Sequence, residues 1–275
     1  MKELKVAMLQ VKVYDDVQKN IEQLAALLDR EEVNSADLVT LPEMWSCPYQ
    51  TELFPKYAEK EGGELWQTLS ALAAKHKIYL SAGSVPEVDD EGHVYNTSYT
   101  FDREGNMIGK HRKVHLFDIY AHGQVVFKES DTLTAGDTFQ VFDTEFCQIG
   151  TNICFDIRFP ESSRMLSLNG AKVILNPGAF NMTTGPSHWE LGFRQRAIEN
   201  QVYMIGTAPA RDPEAGYTSW GHSIIVDPWG DIVTQMDEKE GIAVATLNLD
   251  YVDKIRGKLP LLVARRTDIY DVKMK

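Results

Sequence analysis

Positive charge and cysteine are both scarce in this chain. Of 275 residues, 28 are Lys or Arg against 40 Asp or Glu, a formal net charge of -12. That sign opposes nonspecific attraction to nucleic acid or to an anionic membrane surface, so a small molecule or another protein is the expected partner. The three cysteines, Cys47, Cys147 and Cys154, are an odd and widely scattered set, which suits free thiols in a reducing compartment better than a disulfide framework. Long apolar runs are missing as well. Lys5, Gln10 and Lys12 interrupt the N-terminal "MKELKVAMLQVKVYDDVQKN", so it lacks the apolar block of a secretory signal. No later stretch approaches the ~20 apolar residues of a membrane span. The expectation is a soluble, cytoplasmic protein.

Also lacking are a Gly-, Ser- or Pro-rich linker, a low-complexity segment and a repeat of solenoid length. One domain spanning 1–275 is therefore expected, and a 43% hydrophobic composition is enough to build its core. Neither a G-x-x-x-x-G-K-[ST] loop nor a convincing G-x-G-x-x-G is present, which argues against a nucleotide cofactor. No Cys or His pair has zinc-finger spacing. His111 and His115 stand four apart in "HRKVH", but a strand-like context is not expected to bring them onto one face as a helix would, so no metal is expected.

What is present is a rhythm. "LKVAMLQV" reads as a buried strand and "VQKNIEQLAALLDREE" as an amphipathic helix; "DLVTLPE", "ELWQTLSALAAKHK" and "IYLSAGSVPE" repeat the strand–helix–strand order. From Val94 strands dominate: "VYNTSYTFD", "MIGKHRK" and "FQVFDTEFCQIGTNIC". Helices return at "PESSRMLSLNG" and at "SHWELGFRQRAIENQ", where Ser187 and Glu190 have capping-box spacing. "AKVILNPGAF", "VYMIGTAPA", "HSIIVDPWGDIV" and "GIAVATLNLD" read as further strands. The pattern predicts a layered α/β fold with helices covering outer sheet faces.

Three groups can do chemistry. Cys154, in "NICFDIRFPE", lies at a strand end before a turn into a helix, where α/β folds gather reactive groups. A free cysteine is also a common core residue, and a thiol titrating near about 8.5 needs a base or a positive field to react at neutral pH. Glu43, after Pro42 in "LVTLPEMW", is either a solvated loop carboxylate or a general base with its proton affinity raised by apolar surroundings. Lys113 in "GKHRKVHLFD" is either part of a solvated face or a cation for a developing oxyanion. A papain-like Cys/His pairing lacks its local signature.

The ordered set "LPE", "KHRKVHLFD" and "ICFDIRFPE" resembles the nitrilase superfamily of carbon-nitrogen hydrolases, and the likeness runs from "KVAMLQ" to "RRTDIYDV". Within it, "CPYQTELFPKYAEK", "FKES", "PGAFNMTTGPSHWEL", "ENQVYMIGTAPARD" and "WGHSIIVDPWG" are similar to the omega-amidase branch. The resemblance implies a four-layer α-β-β-α sandwich, usually a homodimer, and a catalytic Glu43, Lys113 and Cys154 with Glu129 orienting the lysine. It implies no cofactor, and hydrolysis of the terminal amide of α-keto dicarboxylic acid monoamides through a cysteine thioester. The backbone N–H of Phe155 is expected to help hold the oxyanion, Arg158 to bind the remote carboxylate or else to pair with Asp156 or Glu161, and Tyr49 and Phe54 to line the pocket. The tail from about 260 to 275 is expected at a dimer interface. "CPYQ", "CFD", "NPGAF" and the "DIYAHGQ" loop depart from the branch's usual "SPYG", "CYD" and "YPGAF" and its usual loop, so Gln50, His122, Gln124 and Asn176 are expected to adjust the pocket wall. Another amidase of the superfamily, acting on deaminated glutathione or an N-carbamoyl amine, is the alternative; a non-catalytic binding protein is a further one.

Overall fold

The computed structural model describes residues 2–121 and 124–273; His122 lies outside them. Strand β1 (Glu3–Gln10) alternates between two cores. Ala7 and Leu9 face one side, with α1 (Val17–Leu28) and a later helix, while Leu4, Val6 and Met8 face the other. This period-2 division is what a strand covered on both faces requires. Asp16 starts α1 by accepting hydrogen bonds from the N–H groups of Gln18 and Lys19 at 2.9 and 3.2 Å. The helix stops at Leu28, short of the expected "DREE", and a separate turn α2 (Glu31–Asn34) follows.

The first sheet continues through β2 (Leu38–Thr40), β3 (Tyr79–Ser81), β4 (Val85–Val88), β5 (Val94–Phe101) and β6 (Met107–Arg112), with the turn α3 (Phe54–Tyr57) and helix α4 (Glu64–His76) between β2 and β3. Next come a small hairpin, β7 (Asp118–Ala121) with β8 (Gln124–Lys128), and then β9 (Val141–Asp143) and β10 (Gln148–Thr151). Helix α5 (Pro160–Leu168), β11 (Val173–Pro177), helix α6 (Gly185–Asn200), β12 (Tyr203–Thr207), β13 (Ile224–Val226), β14 (Ile232–Gln235), β15 (Gly241–Asn248) and helix α7 (Asp250–Lys258) complete the order.

The seven-stranded sheet runs β15-β1-β2-β3-β5-β4, with β6 also on β5; the six-stranded sheet runs β14-β13-β12-β11-β10-β9. Both have a parallel centre, β1-β2-β3 and β10-β11-β12, flanked by antiparallel strands. Val6 and Met8 of the first sheet meet Val173, Leu175 and Ile205 of the second between the layers. Helices α1 and α4 cover one outer face, and Trp189, Phe193 and Ala197 of α6 cover the other, spaced four apart on one side of the helix. The result is the expected α-β-β-α order. A hydroxyl contact of 2.7 Å between Thr40 and Thr207 joins the two sheets where β2 and β12 end.

Three runs read as single strands are each two. "IYLSAGSVPE" breaks at Gly83, which has φ +59 and where a Cβ would come within 2.0 Å of the Pro42 carbonyl oxygen. Thr144 Oγ1 caps the turn between β9 and β10 by accepting from Phe146 and Cys147 N–H. Asp227 Oδ1 does the same between β13 and β14, accepting from Trp229 and Asp231 N–H. The Ser187 capping box does not form either. Helix α6 starts two residues earlier at Gly185, and Asn181 Oδ1 takes the N–H groups of Thr183 and Thr184 just before it. Among the described residues no helix is long and apolar enough to cross a membrane.

Candidate active site

The site lies where the central parallel strands of both sheets end, the place where open α/β sheets gather ligand-binding loops. Beyond β2, Pro42 crosses Gly83 and delivers Glu43, which is 1% exposed. Its Oε1 accepts from Lys113 Nζ at 2.9 Å, Asn96 Nδ2 at 2.9 Å and the Tyr49 hydroxyl at 3.3 Å. Its Oε2 accepts from the Ala179 N–H at 2.8 Å, just past β11. Lys113 follows β6 directly. Its ammonium donates to Glu43 and Glu129, each at 2.9 Å, and all three side chains have 0% exposure.

Glu129 follows β8 in a short 3-10 turn, with Oε1 also accepting from Tyr49 at 2.6 Å and Oε2 from the Phe117 N–H at 2.6 Å. Cys154 opens a second 3-10 turn, Cys154–Arg158, with φ +45. That left-handed conformation is costly for a residue with a Cβ and is held only by its surroundings. The turn leaves Cys154 4% exposed, with Glu43, Lys113 and Glu129 acting on its thiol.

Electrostatics follow from one cation facing two carboxylates out of contact with bulk solvent. Burial opposes the charge on Lys113, but Glu129 and Glu43 outweigh it and hold its pKa above the ordinary lysine value. Burial pushes Glu129 up against the pull of Lys113. Burial and the Glu43 charge raise Cys154 well above an ordinary thiol, so sulfur rests protonated. A protonated sulfur beside a carboxylate needs that carboxylate as its base.

Glu43, Lys113, Glu129, Cys154 and Tyr49 therefore converge. Tyr49 bridges the two glutamates and packs on Tyr217, with ring centroids 4.6 Å apart. A cavity of about 450 Å³ opens beside them, lined among others by Glu43, Tyr49, Gln50, Ala179 and Tyr217; Cys154 lies just outside the lining. Phe54 does not reach the cavity: it is 0% exposed and packs edge-on behind Tyr49 at 5.6 Å. Phe155 stands edge-on to Phe117 and Phe159. Arg158 stacks on Phe180, 4.6 Å from the ring centroid, and donates to His188 Nδ1 at 2.9 Å beside a neighbouring 260 Å³ cavity. Of its two alternative expected partners, Asp156 is taken by His111 and His115, and no ion pair with Glu161 forms among the described residues. The two histidines do come together, contrary to the sequence expectation, because the chain bends after β6 and both meet the buried Asp156 carboxylate.

Asn176 is fully buried, with no hydrogen-bond partner for its amide among the described residues. Gln50 lies against Gly216 at the cavity wall. Three site groups were not singled out from the sequence. Asn96 and Tyr217 are ordinary members of a strand and a loop there, and the Ala179 N–H is a backbone donor with no residue-type signature.

The carbon-nitrogen hydrolase family profile matches residues 5–257. The chain is 43% identical over 275 residues to omega-amidase NIT2 of Xenopus tropicalis, covering 100% of this chain and 99% of that protein. It is 41% identical to human omega-amidase NIT2 with the same coverage. The crystal structure of Saccharomyces cerevisiae Nit3, described as a member of branch 10 of the nitrilase superfamily, superposes with a TM-score of 0.89 at 38% identity over 97% of each chain. A profile spanning nearly the whole chain and full-length relatives at this identity agree with the four-layer architecture: the chain belongs to the carbon-nitrogen hydrolase family.

Proposed function

We propose that the protein is an omega-amidase that hydrolyses the terminal amide of α-keto dicarboxylic acid monoamides, α-ketoglutaramate and α-ketosuccinamate. The observation that carries this is the buried hydrogen bond of Glu43 with Lys113 beside the buried Cys154, in a chain similar over its full length to omega-amidases.

In this mechanism Glu43 accepts the thiol proton as Cys154 sulfur attacks the amide carbon. Lys113 and the Phe155 N–H hold the oxyanion. The tetrahedral species collapses, the carbon–nitrogen bond breaks, and Glu43 gives its proton to the leaving ammonia. Glu43 then takes a proton from water, which attacks the thioester; the carboxylic acid leaves and the thiol is restored. Glu129 and Tyr49 hold Lys113 and Glu43 in place throughout, and no metal or organic cofactor takes part.

Arg158 is the proposed partner for the substrate's remote carboxylate, since a guanidinium binds carboxylate in a bidentate fork. Among the described residues Arg158 makes no ion pair and its guanidinium donates only to His188, which supports this. Exposed Leu191, Val263, Ile269 and Tyr270 support a homodimer that the C-terminal tail helps to close.

The test is ammonia release from α-ketoglutaramate, deaminated glutathione, glutamine and an N-carbamoyl amine, with Cys154→Ala as control. Release from the keto-amide, lost in the variant, is expected. Cysteine-dependent release from another amide alone would overturn the substrate and keep the mechanism. Turnover by Cys154→Ala would overturn the mechanism.

A further inference from the structure

The nucleophile and the proposed oxyanion cation come from different sheets. Lys113 extends β6 of the first sheet, and Cys154 follows β10 of the second. Catalysis by the pair demands that their separation be fixed to a fraction of an ångström, because a misplacement of about 1 Å costs on the order of 100-fold in rate. The mutual contacts of Glu43, Lys113 and Glu129 fix the ammonium within the first sheet and its hairpin. They do not by themselves fix the turn that carries sulfur.

One carboxylate ties that turn to the lysine's segment. Asp156, two residues after Cys154, is 0% exposed. Its Oδ2 accepts from the Ile153 N–H at 3.0 Å, closing the turn around the nucleophile, and from His111 Nε2 at 2.9 Å. Its Oδ1 accepts from both the N–H and Nδ1 of His115, at 2.9 and 2.8 Å. His111 and His115 flank Lys113 at two residues on either side, His111 within β6 and His115 in the bend that follows it. Four donors from two segments thus converge on one carboxylate, and its two oxygens are shared between the nucleophile turn and the lysine's strand. Aromatic packing seats the histidines: His111 stacks on Phe139 with centroids 5.5 Å apart, and His115 lies flat on Phe159 at 3.7 Å.

We propose that Asp156, acting through His111 and His115, is a positioning residue that sets Cys154 sulfur against the Lys113 ammonium. The inference rests on the reading of Cys154 as nucleophile and Lys113 as oxyanion donor. Asparagine in place of Asp156 has nearly the same shape, but its amide nitrogen puts a donor where donors already converge. One side of the tie opens, and the turn relaxes away from the strand. The cavity segments around Tyr49 and Tyr217 lie outside that turn, whereas Phe155 and Arg158 move with it.

The experiment compares wild type, Asp156→Asn, His111→Gln, His111→Ala and Cys154→Ala in ammonia release and in the rate of Cys154 alkylation by iodoacetamide. Folded fraction is set by near-ultraviolet circular dichroism. For Asp156→Asn, kcat per folded molecule is expected to fall about 100-fold, and alkylation slows in parallel. His111→Gln, whose amide still donates to Asp156, is expected to lose less than His111→Ala. A merely structural role would lower the folded fraction and leave kcat per folded molecule unchanged; that outcome overturns the proposal. If Asp156→Asn does not fold, equal activity of the two His111 variants overturns it instead. Turnover by Cys154→Ala removes the underlying mechanism. An inactive Cys154→Ala beside a fully active Asp156→Asn removes the positioning role alone.

Discussion

Two charged clusters grow from neighbouring residues of one basic run, and their buried groups are balanced oppositely, one carboxylate between two cations and one cation between two carboxylates. Lys110 and Arg112 of β6 converge on one buried carboxylate, Glu87, through bonds of 2.6, 2.7 and 3.0 Å, and Thr97 adds a fourth at 2.6 Å, while Lys110 also pairs with the more exposed Glu61 at 2.7 Å. Lys113, one residue past the strand, meets two carboxylates. The cations around Glu87 keep 26% and 28% of their side chains in solvent, whereas the Lys113 cluster has none. Burial raises the Glu87 pKa, but Arg112, Lys110 and Thr97 more than offset this and leave it below the ordinary value. In the Lys113 cluster Glu129 and Cys154 are instead raised. A carboxylate with surplus cations is locked in its charged form and serves structure. Acids that outnumber their cation in a dry site hold protons that a reaction can move.

The sharpest break of this contrast is charge removal from each cluster. Lys113→Met is expected to lower kcat on the keto-amide by about 1,000-fold, while Glu87→Gln keeps kcat per folded molecule at the wild-type level. Comparable losses in both would erase the distinction. Next in size is stability: Glu87→Ala removes the carboxylate of Arg112 and one of the two that hold Lys110, and is expected to cost about 1.5–3 kcal/mol in urea unfolding. Tyr49→Phe removes the hydroxyl that joins Glu43 to Glu129, a bond to charged groups worth about 1.5–3 kcal/mol. It is expected to reduce kcat/KM by about 10- to 100-fold with substrate order unchanged. An unaltered kcat/KM would reduce Tyr49 to packing.

The smallest effect is in pH. Glu87 has a folded-state pKa below its unfolded one. Its stabilisation is therefore complete above the unfolded value of about 4.3 and is lost as pH falls through the folded value. The stability gap between wild type and Glu87→Gln is expected to be constant near neutrality and to shrink below about pH 4. A gap that widens on acidification would reverse the assignment of Glu87 as the locked acid.

Legibility varied along the chain for identifiable reasons. Strand β1 and helix α1 announce themselves through period 2 and period 3.6, because each has one or two faces against an apolar layer. The hairpin of β7 and β8 and helix α7 were not assigned from the sequence. Both are short, and α7 buries only Val252 and Ile255. The "VVF" of β8 carries an apolar run, yet its partner β7 begins with Asp118, whose carboxylate accepts from Ser130. The basic run was harder still, since composition reads "KHRK" as one solvated face, whereas strand alternation sends Lys110 and Arg112 to Glu87 and His111 to Asp156.

By itself the sequence determined the strand–helix alternation, the apolar faces that sort into layers, and the order in which Glu43, Lys113 and Cys154 arrive at strand ends. Those are local properties, carried by residue type and spacing. Only the tertiary structure decided that Glu43 meets an N–H 136 residues away at Ala179. The same holds for Asp156 drawing in His111 and His115, and for Phe54 standing behind Tyr49 rather than in the cavity wall. These outcomes depend on which strand ends the packed sheets bring together and on backbone donors that every residue but proline supplies, so no side-chain pattern encodes them.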